Sequence, residues 1–78
     1  MIGQFLFDQV GQRWVVIRGG VEVRELHCGD VLRVRECADE AADWLSARME
    51  MDGDGMWYLV TDAGDRDDFE LLYVLIED

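Results

Sequence analysis

Apolar and polar residues alternate with a period of two through much of the chain. Val21 and Val23 alternate with Glu22 and Arg24, and Leu32 and Val34 alternate with Arg33 and Arg35. Successive side chains of a strand point to opposite faces, so this pattern predicts strands with one buried face. Phe5 to Phe7 and Trp14 to Ile17 are short runs of aromatic and β-branched residues and read as strands too. Turn signals separate these runs. Asp8 to Gln12, with Gly11, reads as a hairpin connection. Gly19-Gly20 suits a two-residue hairpin turn, whose central positions need positive φ. Cys28-Gly29-Asp30 is a further turn. Asp52-Gly53-Asp54-Gly55 carries two Asp-Gly pairs between apolar runs and predicts a hairpin leading into the run Met56 to Val60. Asp62 to Asp68 reads as a polar loop around Gly64, and Phe69 to Ile76 as the last strand.

One stretch supports two readings. Ala38, Ala41, Ala42, Leu45 and Met49 form a helical stripe, and alanine favours helix. The acidic turn that follows calls instead for a strand before it. We read a short helix or turn over Cys37 to Asp43 and then a strand from Trp44 to Met51; the alternative is a helix reaching Arg48. Turns at intervals of roughly ten residues, without a long helical pattern, indicate a mostly β fold, a small barrel or sandwich.

The 78 residues allow one domain, 1–78, with a thin core. Half of them are hydrophobic, too many for intrinsic disorder. All seven cations are arginine, and Lys, Asn and Pro are absent. No lysine means no Walker-type phosphate loop and no Schiff-base chemistry. The net charge of −11 repels phosphate backbones, which argues against direct binding of nucleic acid or an anionic membrane. The same self-repulsion points to a monomer whose stability rises with salt. Met1 to Val16 lacks the basic start of a signal peptide, and the longest apolar run, Leu71 to Ile76, is too short to span a membrane. A cytoplasmic location with Cys28 and Cys37 as thiols is the expectation.

A second set of signals resembles a known family. Arg13-Trp14 opens a strand, Cys28-Gly29-Asp30 follows the apolar Leu26, Trp44, Arg48 and Glu50 come next, Trp57-Tyr58-Leu59 follows the acidic turn, and Leu71 to Ile76 closes the chain. This arrangement resembles a small family of bacterial and phage domains of unknown function with an SH3-like barrel. The resemblance implies about five to six antiparallel strands and brings no catalytic residues. The chain departs from it at Ala38 to Asp43, where a helical or turn insertion replaces a tight turn.

Candidate chemistry is sparse. His27, Cys28 and Cys37 are the soft ligands, and three at this spacing match no zinc pattern; we read a turn histidine beside a small buried thiol. Asp52-Gly53-Asp54-Gly55 begins like a calcium loop, but Met56 and Ala63 stand where ligands are needed. Ser46 lies among core-like residues, and the lone His27 does not reach Cys28 on one face of a strand. Neither an enzyme nor a cofactor is expected.

The charge distribution is more informative. Residues 1–38 hold five acids and five arginines, whereas residues 39–78 hold thirteen acids and two arginines. The whole excess lies in the second half. Its carboxylates Asp39, Glu40, Asp43, Asp52, Asp54, Asp62, Asp65, Asp67, Asp68 and Glu70 are candidates to meet a basic partner. Alternate residues of an extended chain lie about 6.6 Å apart, so pairs such as Asp65/Asp67 approximate a row of phosphates. In size and charge the chain resembles the acidic DNA-mimic proteins of phages and mobile elements, among them anti-CRISPR inhibitors. That class resemblance implies an inhibitor of a basic nucleic-acid-binding protein or complex, such as a CRISPR effector. Two alternatives stand beside it. One is an SH3-like module reading a peptide or protein through Trp57 or Tyr58, which as neighbours on a strand point to opposite faces. The other is a divalent-ion site built from the carboxylates.

Overall fold

The computed structural model describes residues 1–76. Eight strands form one antiparallel sheet: β1 (Ile2–Asp8), β2 (Arg13–Arg18), β3 (Val21–Glu25), β4 (Val31–Glu36), β5 (Leu45–Met51), β6 (Trp57–Thr61), β7 (Gly64–Arg66) and β8 (Leu72–Leu75). Their spatial order is β3-β2-β1-β8-β4-β5-β6-β7. Two meanders, β1–β3 and β4–β7, are thus joined by the last strand, which inserts between β1 and β4. No α-helix occurs among the described residues; a single 3-10 turn, Phe69–Leu71, precedes β8.

The mostly β expectation holds, with eight strands rather than five or six. The sheet is coiled but not closed into a barrel, since the terminal strands β3 and β7 share no ladder. Its curl is fixed by the loop after β3: Gly29 N–H donates to the Met49 carbonyl at 2.7 Å, and Met49 N–H donates to the Asp30 carbonyl at 2.9 Å. Residues from eight segments therefore meet in one core, including Phe5, Val16, Leu26, Leu32, Val34, Met49, Leu59, Phe69 and Val74. Phe69 lies at its aromatic centre, stacked on Trp14 at 4.3 Å and edge-on to Phe5 at 5.1 Å. Such pairs add about 0.5–1.5 kcal/mol each beyond the area they bury.

The turns follow their residues. Gly19 and Gly20 adopt φ of +61° and +78°, as a two-residue hairpin requires. The 37–44 connection resolves as turns, with Ala42 N–H bonded to the Asp39 carbonyl at 3.2 Å. The strand begins at Leu45, because Leu45–Met51 makes ladders with both β4 and β6. Two ladders outweigh the helical propensity of three alanines.

Four expectations are corrected. Alternation in β3 buries no face: all five residues are exposed, because β3 is an edge strand whose register breaks opposite Val16 and Ile17. The loop read over Asp62 to Asp68 contains β7, a strand without an apolar residue that forms on the free edge of β6. Ser46 is exposed rather than core-like, since it pairs with Arg33 on the outer face. Cys28 is an exposed thiol in the turn, and Cys37 is half-buried.

Candidate functional site

The acidic half spans β5–β7, the 3-10 turn and β8, and its candidate carboxylates lie on β7, the 3-10 turn and the connections around them. Asp52 builds its own turn. Its Oδ1 accepts the N–H of Asp54 at 2.9 Å and of Met56 at 3.0 Å, while Gly55 takes φ +81°. The β6–β7 turn is pinned by Thr61, whose Oγ1 donates to the Gly64 carbonyl at 2.6 Å and accepts the Ala63 N–H at 3.1 Å. This presents Asp62 to solvent.

Register sets which side chains share a face. Asp65 pairs with Val60 and Arg66 with the fully buried Leu59, so Asp65 faces outward and Arg66 inward. Trp57 packs against the core, and Tyr58, opposite Glu50, takes the other face. The neighbours thus point to opposite faces as expected, both half-buried.

Where β5–β6 meets the end of β7, Asp52, Met56, Trp57, Tyr58, Asp65, Asp67 and the ion-paired Arg66 line an open depression of about 470 Å³. Three predicted carboxylates and both predicted aromatic residues therefore border one depression, the two aromatic side chains leaving β6 on opposite faces. The other carboxylates do not join them. Glu40, Asp43 and Asp62 each line a different depression, and Asp39 lies with Glu40 and Asp43 in the β4–β5 connection. Asp54 and Glu70 are exposed at the acidic turn and the 3-10 turn.

Nine of the ten candidate carboxylates are exposed, and none of those nine makes an ion pair among the described residues. Asp68 differs. Arg66 donates Nε to Oδ1 at 2.8 Å and Nη2 to Oδ2 at 2.5 Å. These hydrogen bonds hold the Asp68 carboxyl below the usual carboxylate range, against the opposing effect of burial. Arg66 also pairs with Glu36 at 2.7 Å, and its guanidinium is held more firmly protonated, first by the bonds to Asp68. Asp68 is therefore a structural residue and drops out of the candidate surface. Sequence reasoning missed Arg66 as an organiser; the signal available was a lone cation flanked by Asp65, Asp67 and Asp68.

No three His, Cys, Asp or Glu side chains among the described residues converge as metal ligands. His27 lies instead between Glu25 and Asp30, at 3.6 Å from each. No helix among the described residues is long and apolar enough to cross a membrane.

The model of a domain of unknown function, DUF5348, matches residues 3–76, so the chain belongs to that family. No curated protein and no solved structure matches the chain significantly.

Proposed function

We propose that this DUF5348 domain is a non-enzymatic inhibitor, an acidic DNA mimic that occupies the nucleic-acid channel of a basic cytoplasmic protein or complex. The observation that carries this reading is the set of nine exposed carboxylates without a cation partner among the described residues. Carboxylates left unpaired in a protein already under self-repulsion are free to accept hydrogen bonds from partner Arg and Lys. Asp52, Asp65 and Asp67 form the centre of the contact, and Asp39, Glu40, Asp43, Asp54, Asp62 and Glu70 supply the surrounding field. A CRISPR surveillance complex is the narrower target that the class resemblance suggests.

Mimicry makes association fast and steeply salt-dependent, and makes it compete with duplex DNA. The test immobilises the domain, exposes it to host lysate at two salt concentrations and challenges the bound proteins with DNA. Nucleic-acid-binding proteins released by both salt and DNA support the reading. Partners released by neither overturn it. Asp52→Asn, Asp65→Asn and Asp67→Asn together should abolish binding while the fold persists.

A second reading, an SH3-like interaction module, is favoured by the placement of Tyr58 and Trp57 in the same depression as the three aspartates. It predicts that Tyr58→Ala weakens binding at high and low salt alike.

A further inference from the structure

The opposite polarity carries an independent inference. Arg13 pairs with Glu25, Arg24 with Asp30, Arg48 with Glu50, and Arg66 with Glu36 and Asp68. Arg33 is engaged as well. Arg18 and Arg35 have no carboxylate partner among the described residues, although the chain holds eighteen acids. These two arginines line the same open depression of about 330 Å³.

The sheet places Arg35 beside two further donors. Arg35 on β4 is directly opposite Tyr73 on β8, Tyr73 is opposite Gln4 on β1, and Gln4 is opposite Ile17 on β2. Arg18, the last residue of β2, alternates away from this row and lines the depression at its rim. Directly opposed residues share a face, so one row across four strands presents a guanidinium, a phenol and an amide. Arg35 is also held in place: its guanidinium carbon lies 4.3 Å from the centre of the Trp44 ring. Its Nε is buried and has no hydrogen-bond partner. A buried N–H without a partner is costly unless a ligand supplies the acceptor. Arg18 Nη1 contacts the Met1 sulfur at 2.7 Å, a weak acceptor for a cation. Apart from Glu40 and Tyr73, the named lining residues come from the charge-balanced first half of the chain.

We propose that this depression is an oxyanion site, in which Arg18 and Arg35 together hold a carboxylate or phosphate group with Tyr73 and Gln4 as further donors. Planar guanidinium groups suit two-oxygen anions. Glu40, at the same depression, opposes an incoming anion by like charge and sets the affinity.

The test follows the side-chain Nε–Hε resonances of Arg18 and Arg35 by NMR during titration with inorganic phosphate, acetate or chloride at matched ionic strength. The expected result is a saturable shift of both resonances with phosphate or acetate and none with chloride. Tighter saturation by phosphate identifies a phosphate ligand, and tighter saturation by acetate identifies a carboxylate. Glu40→Gln should tighten binding several-fold, and Arg18→Gln, at an exposed position, should weaken it roughly tenfold with the backbone spectrum intact. Arg35→Gln should abolish it. The proposal is overturned if phosphate and acetate shift these resonances no more than chloride does, in the parent and in Glu40→Gln alike. It is equally overturned if Arg18→Gln leaves the affinity unchanged.

Discussion

Arg66 grips Asp68 through two parallel hydrogen bonds while its Nη2 also reaches Glu36, so one guanidinium ties β7 to β4 across the inside of the coiled sheet. Strands β5 and β6 lie between these two in the ladder. The contact therefore holds the edge strand in the curl that the core requires.

Asp68 binds its proton more weakly in the folded chain than in the unfolded one. Its contribution to stability is full above the ordinary carboxylate range, about pH 4, and is lost as pH falls through the lower folded value. Asp68→Asn should cost about 1 kcal/mol at pH 7, after allowance for partial exposure of the pair. The difference between the variant and the parent should shrink below about pH 4. Urea unfolding of both proteins from pH 7 to pH 2 measures this. A gap that stays constant through the acid range contradicts it.

The sequence legibly encodes what is local. The alternation of Leu32 and Val34 marks β4 and its buried face, and Gly19-Gly20 marks the first tight hairpin. The alternation of Val21 and Val23 marks a strand equally well, yet both side chains are exposed, at 63% and 47%. Alternation reports a pleat; whether anything covers one face depends on strand order, which is a long-range property. Strand β7 has no apolar residue to announce it and forms because β6 offers an edge. The same reasoning applies to function. The acidic excess was visible in the chain, but the meeting of Asp52 with Asp65 and Asp67 required the β6–β7 pairing. Likewise, the facing of Arg35 and Trp44 emerges only from the β4–β5 pairing.

Asp52 contributes to the turn and to the candidate surface by different means, and two substitutions separate them. Asn retains an oxygen that can accept the Asp54 and Met56 N–H groups but removes the charge. Asp52→Asn should therefore leave the thermal midpoint nearly unchanged and weaken binding to a basic partner. Asp52→Ala removes the acceptor too and should cost about 1 kcal/mol of stability, as loss of a comparable side-chain cap does. Thermal unfolding and partner titration on both variants give the comparison. Equal destabilisation by Asn and Ala would show that the charge, rather than the acceptor, holds the turn.

Gly3 tests the close packing of β1 on β2. A Cβ at this position would lie 2.7 Å from Val16 Cγ1, 2.8 Å from Ile76 Cδ1 and 2.9 Å from the Ile17 carbonyl oxygen. The carbonyl belongs to a paired strand and cannot swing aside as a side chain can. Gly3→Ala should cost about 1–3 kcal/mol, as overpacking of a core does. A domain of this size loses about 4–8 °C in Tm per kcal/mol. Gly53→Ala is the control, since nothing lies within 4 Å of its Cβ position and its φ is not positive. Its Tm should stay close to that of the parent.

The unpaired carboxylates bring the two roles of the acidic half into opposition. Asp62, Asp65 and Asp67 are exposed around the short β6–β7 hairpin with no cation partner among the described residues, so they repel one another in the folded chain. Replacing all three with Asn should raise stability at low ionic strength by up to about 1 kcal/mol. Added salt screens the same repulsion over a Debye length of about 10 Å at 0.1 M, so the parent should gain more from salt than the variant. Their urea midpoints should converge at high salt. Partner binding should move the other way, with the variant losing affinity most where the parent binds best, at low salt. A variant less stable than the parent at low salt would mean that these side chains support the hairpin by contacts other than charge. The surface would then be part of the fold's own framework, and its exposed charge could no longer be read as held in reserve for a partner.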